Sequence, residues 1–274
     1  MIKLEGVSFS YSPDSKNVVD NVTLEFVQGE YVAVVGPNGS GKSTFAKLIN
    51  SLLLPSMGSI TIDGMDTRDD RWLVRSKVGM VFQNPENQLI ASSVEEEIAF
   101  GPENLGIETQ EINSIIDSTL KIVSLEDLRY KAPSNLSGGQ KQRLAIAAVL
   151  AMKPKYIILD EATSMLDKSG KSEILNTIEQ LNSDHSLGII HITHDMGEAA
   201  RANRIILMDE GRVISNSTPK FVFSNPEKLS KIGLKLPRIT RLAHTLEQKG
   251  IPLSQGISNY NELVEELCTL NLKT

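Results

Sequence analysis

The chain has 274 residues, of which 40% are hydrophobic and 23% are charged, and this composition argues against a disordered or collagen-like protein. Its 28 basic and 34 acidic residues give a net charge of −6, which argues against nucleic acid as a partner and against electrostatic binding to lipid. The single cysteine allows no intrachain disulfide, and we expect neither a signal peptide nor a membrane span, because the longest apolar run is residues 144–152.

The first sixty residues predict short β-strands. Residues 2–10 are rich in β-forming side chains, residues 23–26 alternate between apolar and polar, and residues 59–63 form a further candidate. These three segments predict a small antiparallel β subdomain. Residues 30–36 (EYVAVVG) differ, because a continuous apolar run that ends in glycine is typical of a strand buried on both faces.

A phosphate-binding loop follows that buried strand. Residues 36–43 (GPNGSGKS) match the pattern G-x-x-x-x-G-K-[ST] and precede an apolar helical pattern. Glycines let the backbone N–H groups surround an anion, Lys42 is placed to reach the β- and γ-phosphates, and the Ser43 hydroxyl can bind Mg²⁺. The alternative is a glycine-rich turn that matches by chance. The strand and helix around the motif favour a purine nucleoside triphosphate site.

Residues 78–82 are a second apolar run, and Gln83 follows it. A glutamine at a strand end can offer its side-chain oxygen to a metal ion or to water, although an ordinary loop glutamine is the simpler interpretation. Further along, the apolar side chains of residues 112–123 recur on one face and predict an amphipathic helix.

The segment 136–140 (LSGGQ) has two interpretations. Ser137 and Gln140 have the spacing of a capping box, which would begin a helix that continues through Leu150. A capping box does not require Gly138 and Gly139, and two glycines at a helix start allow an anion to approach the backbone closely. Since the chain already has a complete phosphate loop, this second phosphate site predicts a nucleotide held by another subunit.

Two later strands end in polar residues. Residues 156–159 are apolar and lead into Asp160 and Glu161, which at the carboxyl edge of a parallel sheet would lie beside the phosphate loop. There Asp160 would hold magnesium through water and Glu161 would polarise the attacking water. Residues 188–193 precede His194, which could reach a γ-phosphate.

Buried strands that alternate with helices predict an α/β fold with a mostly parallel sheet. A further strand is predicted at residues 204–208, and three prolines then punctuate the chain before a stretch with helical periodicity. We therefore predict a nucleotide-binding domain over residues 1–220, with a helical subdomain at about 84–150, and a small C-terminal accessory domain over residues 221–274.

Together these motifs resemble the ATP-binding-cassette (ABC) ATPases, which are P-loop NTPases, over about residues 2–220. The resemblance implies that Gln83, Glu161 and His194 act in catalysis and that Ser43, Gln83 and Asp160 bind Mg²⁺. It also implies a head-to-tail dimer that sandwiches two ATP molecules, with Tyr11 stacked on adenine and Asp167 coupling the two sites. The nucleotide-binding residues implied are Tyr11, Gly36, Pro37, Asn38, Gly39, Ser40, Gly41, Lys42, Ser43, Thr44, Ser137, Gly138, Gly139, Gln140 and Asp167. Ala162 departs from the proline of many cassettes, at a position that carries no catalytic group.

A finer resemblance is to the ATPases of energy-coupling factor (ECF) transporters, the group that contains cobalt-importer ATPases. It is carried by residues 82–89 (FQNPENQL), 99–104 (AFGPEN) and 160–167 (DEATSMLD), and more loosely by the region around 236–238 (LPR). Residues 160–167 are similar to the first of two paralogous ATPases that pair as a heterodimer, and a homodimer stays open.

This resemblance implies an ATP-hydrolysing importer subunit at the cytoplasmic face of the cell membrane, with a transmembrane scaffold and a separate substrate-binding membrane protein as partners. The substrate would be a micronutrient, either a vitamin or a transition-metal ion. The alternatives are an ATPase of another ABC importer class and a non-transport ABC ATPase that acts on DNA or ribosomes.

Overall fold

The computed structural model of the chain describes residues 1–271, without the side chains of His185 and Asn271; the last three residues of the predicted accessory domain lie outside the described residues. Ten strands are described within that range. They are β1 (Ile2–Phe9), β2 (Val19–Phe26), β3 (Tyr31–Val35), β4 (Met57–Ile62), β5 (Met65–Asp66), β6 (Val78–Val81), β7 (Tyr156–Asp160), β8 (Gly188–Ile192), β9 (Arg204–Asp209) and β10 (Arg212–Ser217).

Eleven α-helices complete the described part of the chain, together with short 3₁₀ helices at Pro85–Asn87, Glu126–Leu128 and Pro133–Asn135. The α-helices are α1 (Lys42–Ile49), α2 (Arg71–Lys77), α3 (Val94–Asn104), α4 (Thr109–Val123), α5 (Gly138–Ala151), α6 (Lys168–His185), α7 (Met196–Ala199), α8 (Pro219–Phe223), α9 (Pro226–Lys231), α10 (Arg238–Gln248) and α11 (Tyr260–Asn271). None of the helices described has both the length and the apolar character needed to cross a membrane.

The strands form two sheets, which confirms the predicted α/β class with an antiparallel N-terminal sheet. The smaller sheet has the order β2-β1-β4-β5 and is antiparallel throughout. The larger sheet has the order β10-β9-β3-β8-β7-β6, and only the pairing of β10 with β9 is antiparallel. Every residue of β3, β6, β7 and β8 is buried, as their continuous apolar runs predict.

The parallel strands bring their carboxyl ends to one edge of the larger sheet. The phosphate loop follows β3 at that edge, Gln83 lies two residues after β6, β7 ends at Asp160, and His194 lies two residues after β8. Open α/β sheets bind ligands outside the carboxyl ends of their strands. The topology therefore places the predicted site residues along one rim.

Two large apolar clusters cover the faces of this sheet. One joins it to the N-terminal sheet and α1, and the other joins it to the helices α3, α4 and α5, which span the predicted helical subdomain. In the C-terminal part, α8 and α9 still bury Val222, Phe223 and Leu229 in the larger core. A separate small cluster forms around α10 and α11 from Ala243, Leu253, Ile257 and Leu263. The domain boundary at residue 220 stays a prediction.

Candidate functional site

The phosphate loop has a shape that only glycine permits at two of its positions. A Cβ on Gly36 would lie 2.1 Å from the carbonyl oxygen of Met208. Gly41 has a φ of 97°, and its Cβ would lie 2.3 Å from the carbonyl oxygen of Val18. The loop is therefore packed directly against neighbouring main chain, which fixes the orientation of its backbone N–H groups.

Lys42 folds back over this loop. Its Nζ donates hydrogen bonds of 2.9 Å to the carbonyl oxygens of both Gly36 and Pro37. Burial lowers the pKa of the Lys42 ammonium, and the carboxylates of Glu161 and Asp160 offset part of that change. The loop thus presents a positive group over a backbone cradle, an arrangement suited to phosphate oxygens.

Ser43, the residue after Lys42, is in contact with Asp160 at the end of β7. The Ser43 hydroxyl donates a 3.0 Å hydrogen bond to Oδ1 of Asp160. Asp160 is 5% exposed, and burial raises the pKa of its carboxyl even though Ser43 acts in the opposite direction. Mg²⁺ prefers oxygen ligands and is commonly held by one or two protein side chains together with phosphates and water. The pair fits that requirement, and no cluster of three or more His, Cys, Asp or Glu side chains that could hold a metal occurs among the described residues.

The side chain of Glu161, the residue after Asp160, is contacted by two polar side chains. The Gln83 amide nitrogen donates a 2.9 Å hydrogen bond to its Oε2, and Nδ1 of His194 lies 3.5 Å from the same oxygen. The backbone N–H of Glu161 donates to the carbonyl oxygen of Ile192, at the end of β8. Glu161 has a φ of 50°, a left-handed conformation that is uncommon for a residue with a side chain. The Glu161 carboxylate thus faces the cleft from a strained backbone position, with an amide and an imidazole beside it.

One cleft lies in front of these groups. It brings together most of the phosphate loop with Gln83, Glu161 and His194. Residues 232–239 and Ser258, Asn259 and Asn261 of the C-terminal part also line it. Sequence reasoning missed the cations Lys168, Lys171 and Arg201 that also line this cleft. Their charge is the only sequence signal they carry, and it does not separate them from surface residues.

The other predicted nucleotide-binding residues do not line this cleft. Ser137 and Gln140 form a complete capping box, in which each side chain accepts from the other residue's backbone N–H. Both interpretations of the segment 136–140 therefore stay compatible, since the cap leaves Gly138 and Gly139 at the helix start. Asp167 caps α6 by accepting from the Gly170 backbone N–H at 2.9 Å.

Tyr11 is held beside the phosphate-loop helix. Its hydroxyl forms a 3.0 Å hydrogen bond with that of Thr44, and its ring packs edge-on against Phe9. The residue is 62% exposed, so one ring face is open to a stacking partner. This geometry suits contact with a planar base at the end of the phosphate loop.

A second, smaller groove lies beside the segment after Gln83. Asn84 caps the 3₁₀ helix Pro85–Asn87, and Gln88 ties the segment to α5 through a 2.9 Å hydrogen bond to the Ala145 carbonyl. Lys141 pairs with Glu86 at 2.6 Å on one side of the groove. The groove is lined by Glu86, Leu89, Ile90, Ala91, Ser92, Ala132, Pro133, Ser134 and Lys141.

Comparison with known proteins gives two family matches. The model described as ABC transporter matches residues 19–164, and the model described as energy-coupling factor transporter EcfA1 C-terminal domain matches residues 240–274. The chain is 48% identical over 274 residues to the energy-coupling factor transporter ATP-binding protein EcfA1 of Clostridioides difficile (strain 630), which covers 98% of this chain and 99% of that protein. It is 44% identical over 272 residues to the protein of the same name from Streptococcus pyogenes serotype M5 (strain Manfredo), covering 98% of each.

The chain is also similar to two solved structures of ATP-binding proteins. CbiO1 from Clostridium perfringens, described as part of the ABC transporter complex CbiONQ, is 37% identical with a TM-score of 0.75, covering 89% of this chain and 98% of that one. The ATP-binding cassette MJ0796, in a dimer bound to ADP and phosphate, is 31% identical with a TM-score of 0.72, covering 80% of this chain and 98% of that one.

Proposed function

The chain belongs to the ATP-binding subunits of energy-coupling factor (ECF) transporters within the ABC transporter family, and we propose that its residues at the rim of the parallel sheet bind and hydrolyse ATP as Mg·ATP. It is an ATPase by this membership. The observation that carries the proposed site is the convergence of the phosphate loop and the Gln83–Glu161–His194 group on one cleft, with Ser43 in its lining and Asp160 hydrogen-bonded behind Ser43.

Binding begins at the phosphate loop. The backbone N–H groups of residues 38–44 and the Lys42 ammonium hold the phosphates, and the Lys42 hydrogen bonds to its own loop carbonyls are exchanged for bonds to phosphate oxygens. The Tyr11 ring packs against adenine, held in place by Thr44. Ser43, Asp160 and the Gln83 side-chain oxygen would hold Mg²⁺. When bound, the ion supplies charge neutralisation at the β- and γ-phosphate oxygens.

Glu161 is the general base. Its carboxylate accepts a proton from the attacking water, and Gln83 and His194 restrict where that carboxylate can point. His194 has a 63% exposed side chain at the cleft, so it can also contact the γ-phosphate.

A second ATPase subunit completes each site. Ser137, Gly138, Gly139 and Gln140 do not line the cleft of their own chain. A head-to-tail pair would place this segment against the nucleotide bound by the partner, and Asp167 at the start of α6 would couple the two sites. We propose a heterodimer with a paralogous ATPase, and a homodimer is the other outcome of the same geometry.

The groove beside Gln83 is the proposed contact with a transmembrane scaffold. It exposes apolar surface at Ile90, which is 68% exposed, and it is lined in part by the segment that follows Gln83, the residue that donates to Glu161. Movement at the nucleotide can therefore be passed to a membrane subunit at the cytoplasmic face of the cell membrane. A separate membrane protein would bind the imported micronutrient, a vitamin or a transition-metal ion. Residues 221–274 would form the accessory domain.

The catalytic assignment is tested with Glu161→Gln, which keeps the size of the side chain and removes its basicity. Loss of a general base lowers turnover by about 100- to 10,000-fold, while ATP affinity should stay within about 2-fold. Glu5→Gln, an exposed residue of β1, is the matched control and should behave as the unchanged protein. Turnover by Glu161→Gln equal to that of the control would remove Glu161 as the base.

The partner assignment is tested by affinity purification from detergent-solubilised membranes. A transmembrane scaffold and a second ATPase should co-purify with the unchanged chain. Ile90→Glu should lose the scaffold but keep the ATPase partner, because it replaces the exposed apolar side chain of the groove with a charge. Retention of the scaffold by Ile90→Glu would place the contact elsewhere on the surface.

A further inference from the structure

Glu198 is a buried carboxylate that the proposed mechanism does not use. It belongs to α7, the short helix that follows His194, and it is 4% exposed. Its carboxylate accepts a 2.6 Å hydrogen bond from the Thr193 hydroxyl. It also accepts from the Thr163 hydroxyl, at 3.0 Å to Oε1 and 3.2 Å to Oε2. A charged acceptor makes such hydrogen bonds stronger than neutral ones.

The two threonines belong to the two loops that carry the proposed catalytic side chains. Thr163 lies two residues after Glu161, and Thr193 lies immediately before His194. Both threonines are nearly fully buried, at 2% and 3% exposure. Because the two hydroxyls share one carboxylate as acceptor, the loop after β7 cannot shift relative to the loop after β8 without breaking a buried hydrogen bond.

The charge of Glu198 is balanced from a third element. Nζ of Lys171, on α6, lies 2.7 Å from Oε1 of Glu198, and Nε2 of His191 lies 3.3 Å from Oε2. Burial acts to raise the pKa of the Glu198 carboxyl, but His191, Lys171 and Thr193 together hold it well below its usual range. The group is therefore an ionised acceptor at neutral pH, with Lys171 providing the compensating charge.

We propose that Glu198 is a positioning residue that fixes Glu161 and His194 relative to each other through the hydroxyls of Thr163 and Thr193. The inference rests on the proposed catalytic roles of Glu161 and His194. It is supported by the left-handed backbone at Glu161, which costs free energy and persists only when its surroundings hold it. Displacing a catalytic group by about 1 Å can lower turnover about 100-fold.

The test removes each hydroxyl while preserving side-chain shape. Thr163→Val and Thr193→Val, assayed in the assembled ATPase pair, should each lower kcat by about 10- to 100-fold, with KM for ATP within about 2-fold. Thr163→Ser and Thr193→Ser keep the hydroxyl and should restore kcat to within about 3-fold of the unchanged protein. Because both valines act through one carboxylate, the double variant should lose less than the product of the two single losses.

Ser51→Ala is the matched control, since the buried Ser51 hydroxyl donates to the Thr67 carbonyl at 2.8 Å outside these loops. It should lower Tm with kcat unchanged. Valine variants that fold, lose Tm and keep kcat within about 2-fold would overturn the positioning role, as would losses of kcat that serine does not restore.

Glu161→Gln and His194→Ala distinguish failure of the catalytic assignment from failure of the positioning role of Glu198. If both retain turnover, the catalytic assignment itself fails and the positioning role fails with it. If both lose turnover while the valine variants keep it, the catalytic assignment stands and only the role of Glu198 is removed.

Discussion

Gly41→Ala tests whether close main-chain packing shapes the phosphate loop. The new Cβ would lie 2.3 Å from the Val18 carbonyl oxygen, where real Cβ atoms essentially never come within 3.0 Å, so the loop must move by about 0.7 Å. The left-handed backbone of Gly41 adds about 1–2 kcal/mol of strain, and overpacking adds about 1–3 kcal/mol. Stability should therefore fall by about 2–5 kcal/mol, and Tm by at least about 4 °C.

Nucleotide binding should fall as well, because a displaced loop loses hydrogen bonds to phosphate. One lost hydrogen bond to a charged group costs about 1.5–3 kcal/mol, which is about a 10- to 150-fold loss of ATP affinity. The assay combines thermal unfolding of the nucleotide-free protein with equilibrium binding of a fluorescent ATP analogue. Gly64→Ala is the matched control, since Gly64 also has positive φ, at 85°, but its Cβ would meet nothing within 4 Å. Equal losses of Tm in the two variants, or unchanged ATP affinity in Gly41→Ala, would refute the packing argument.

Three further predictions follow from charged and capping groups. Burial raises the pKa of Asp160, so its ionised form lowers the stability of the folded protein at pH values above that pKa. Asp160→Asn should therefore raise the Tm of the nucleotide-free protein at pH 7, and this gain in Tm should shrink as the pH falls to about 4. The same variant should weaken magnesium-dependent ATP binding. Ser137→Ala should lower stability by about 1 kcal/mol in chemical denaturation, because it removes the side-chain acceptor for the Gln140 N–H, whereas Ser137→Asn should retain most of it. Hydrogen bonds from Lys155 and the N-terminal amine lower the pKa of Asp63 to about 2, so Asp63→Asn should lower Tm at pH 7 and the difference should disappear as pH falls from about 4 towards 2.

The parallel core and the order of its motifs could be predicted because each signal is local. The run in residues 31–35 is apolar at every position, and a strand buried on both faces requires that pattern. The pairs Asp160–Glu161 and Gly138–Gly139 were found because they lie at predicted element ends. Local signals do not show which strands are neighbours in the sheet. The strand order of the larger sheet shows this for β3, β6, β7 and β8.

Other elements carried no clear local signal. α3 contains Gly101 and Pro102, residues that usually argue against a helix, yet Ser93 caps its start and three glutamates occupy its first turn. A Cβ on Gly101 would lie 2.5 Å from the Met152 side chain, so close packing favours glycine there. Glu198 was also missed, because a buried carboxylate is recognisable only from partners that are distant in sequence, such as Lys171.

The small apolar cluster of α10 and α11 should make this region open more readily than the larger sheet. Its four fully packed side chains, Ala243, Leu253, Ile257 and Leu263, bury little apolar surface compared with the two clusters on the larger sheet. Segments with little buried apolar surface open at lower free energy than the global transition. Amide hydrogens of α10 should therefore exchange with deuterium well before those of β3 and β8. Residues 232–239, which line the cleft, thus connect the larger sheet to the α10–α11 cluster, and these two regions open at different free energies.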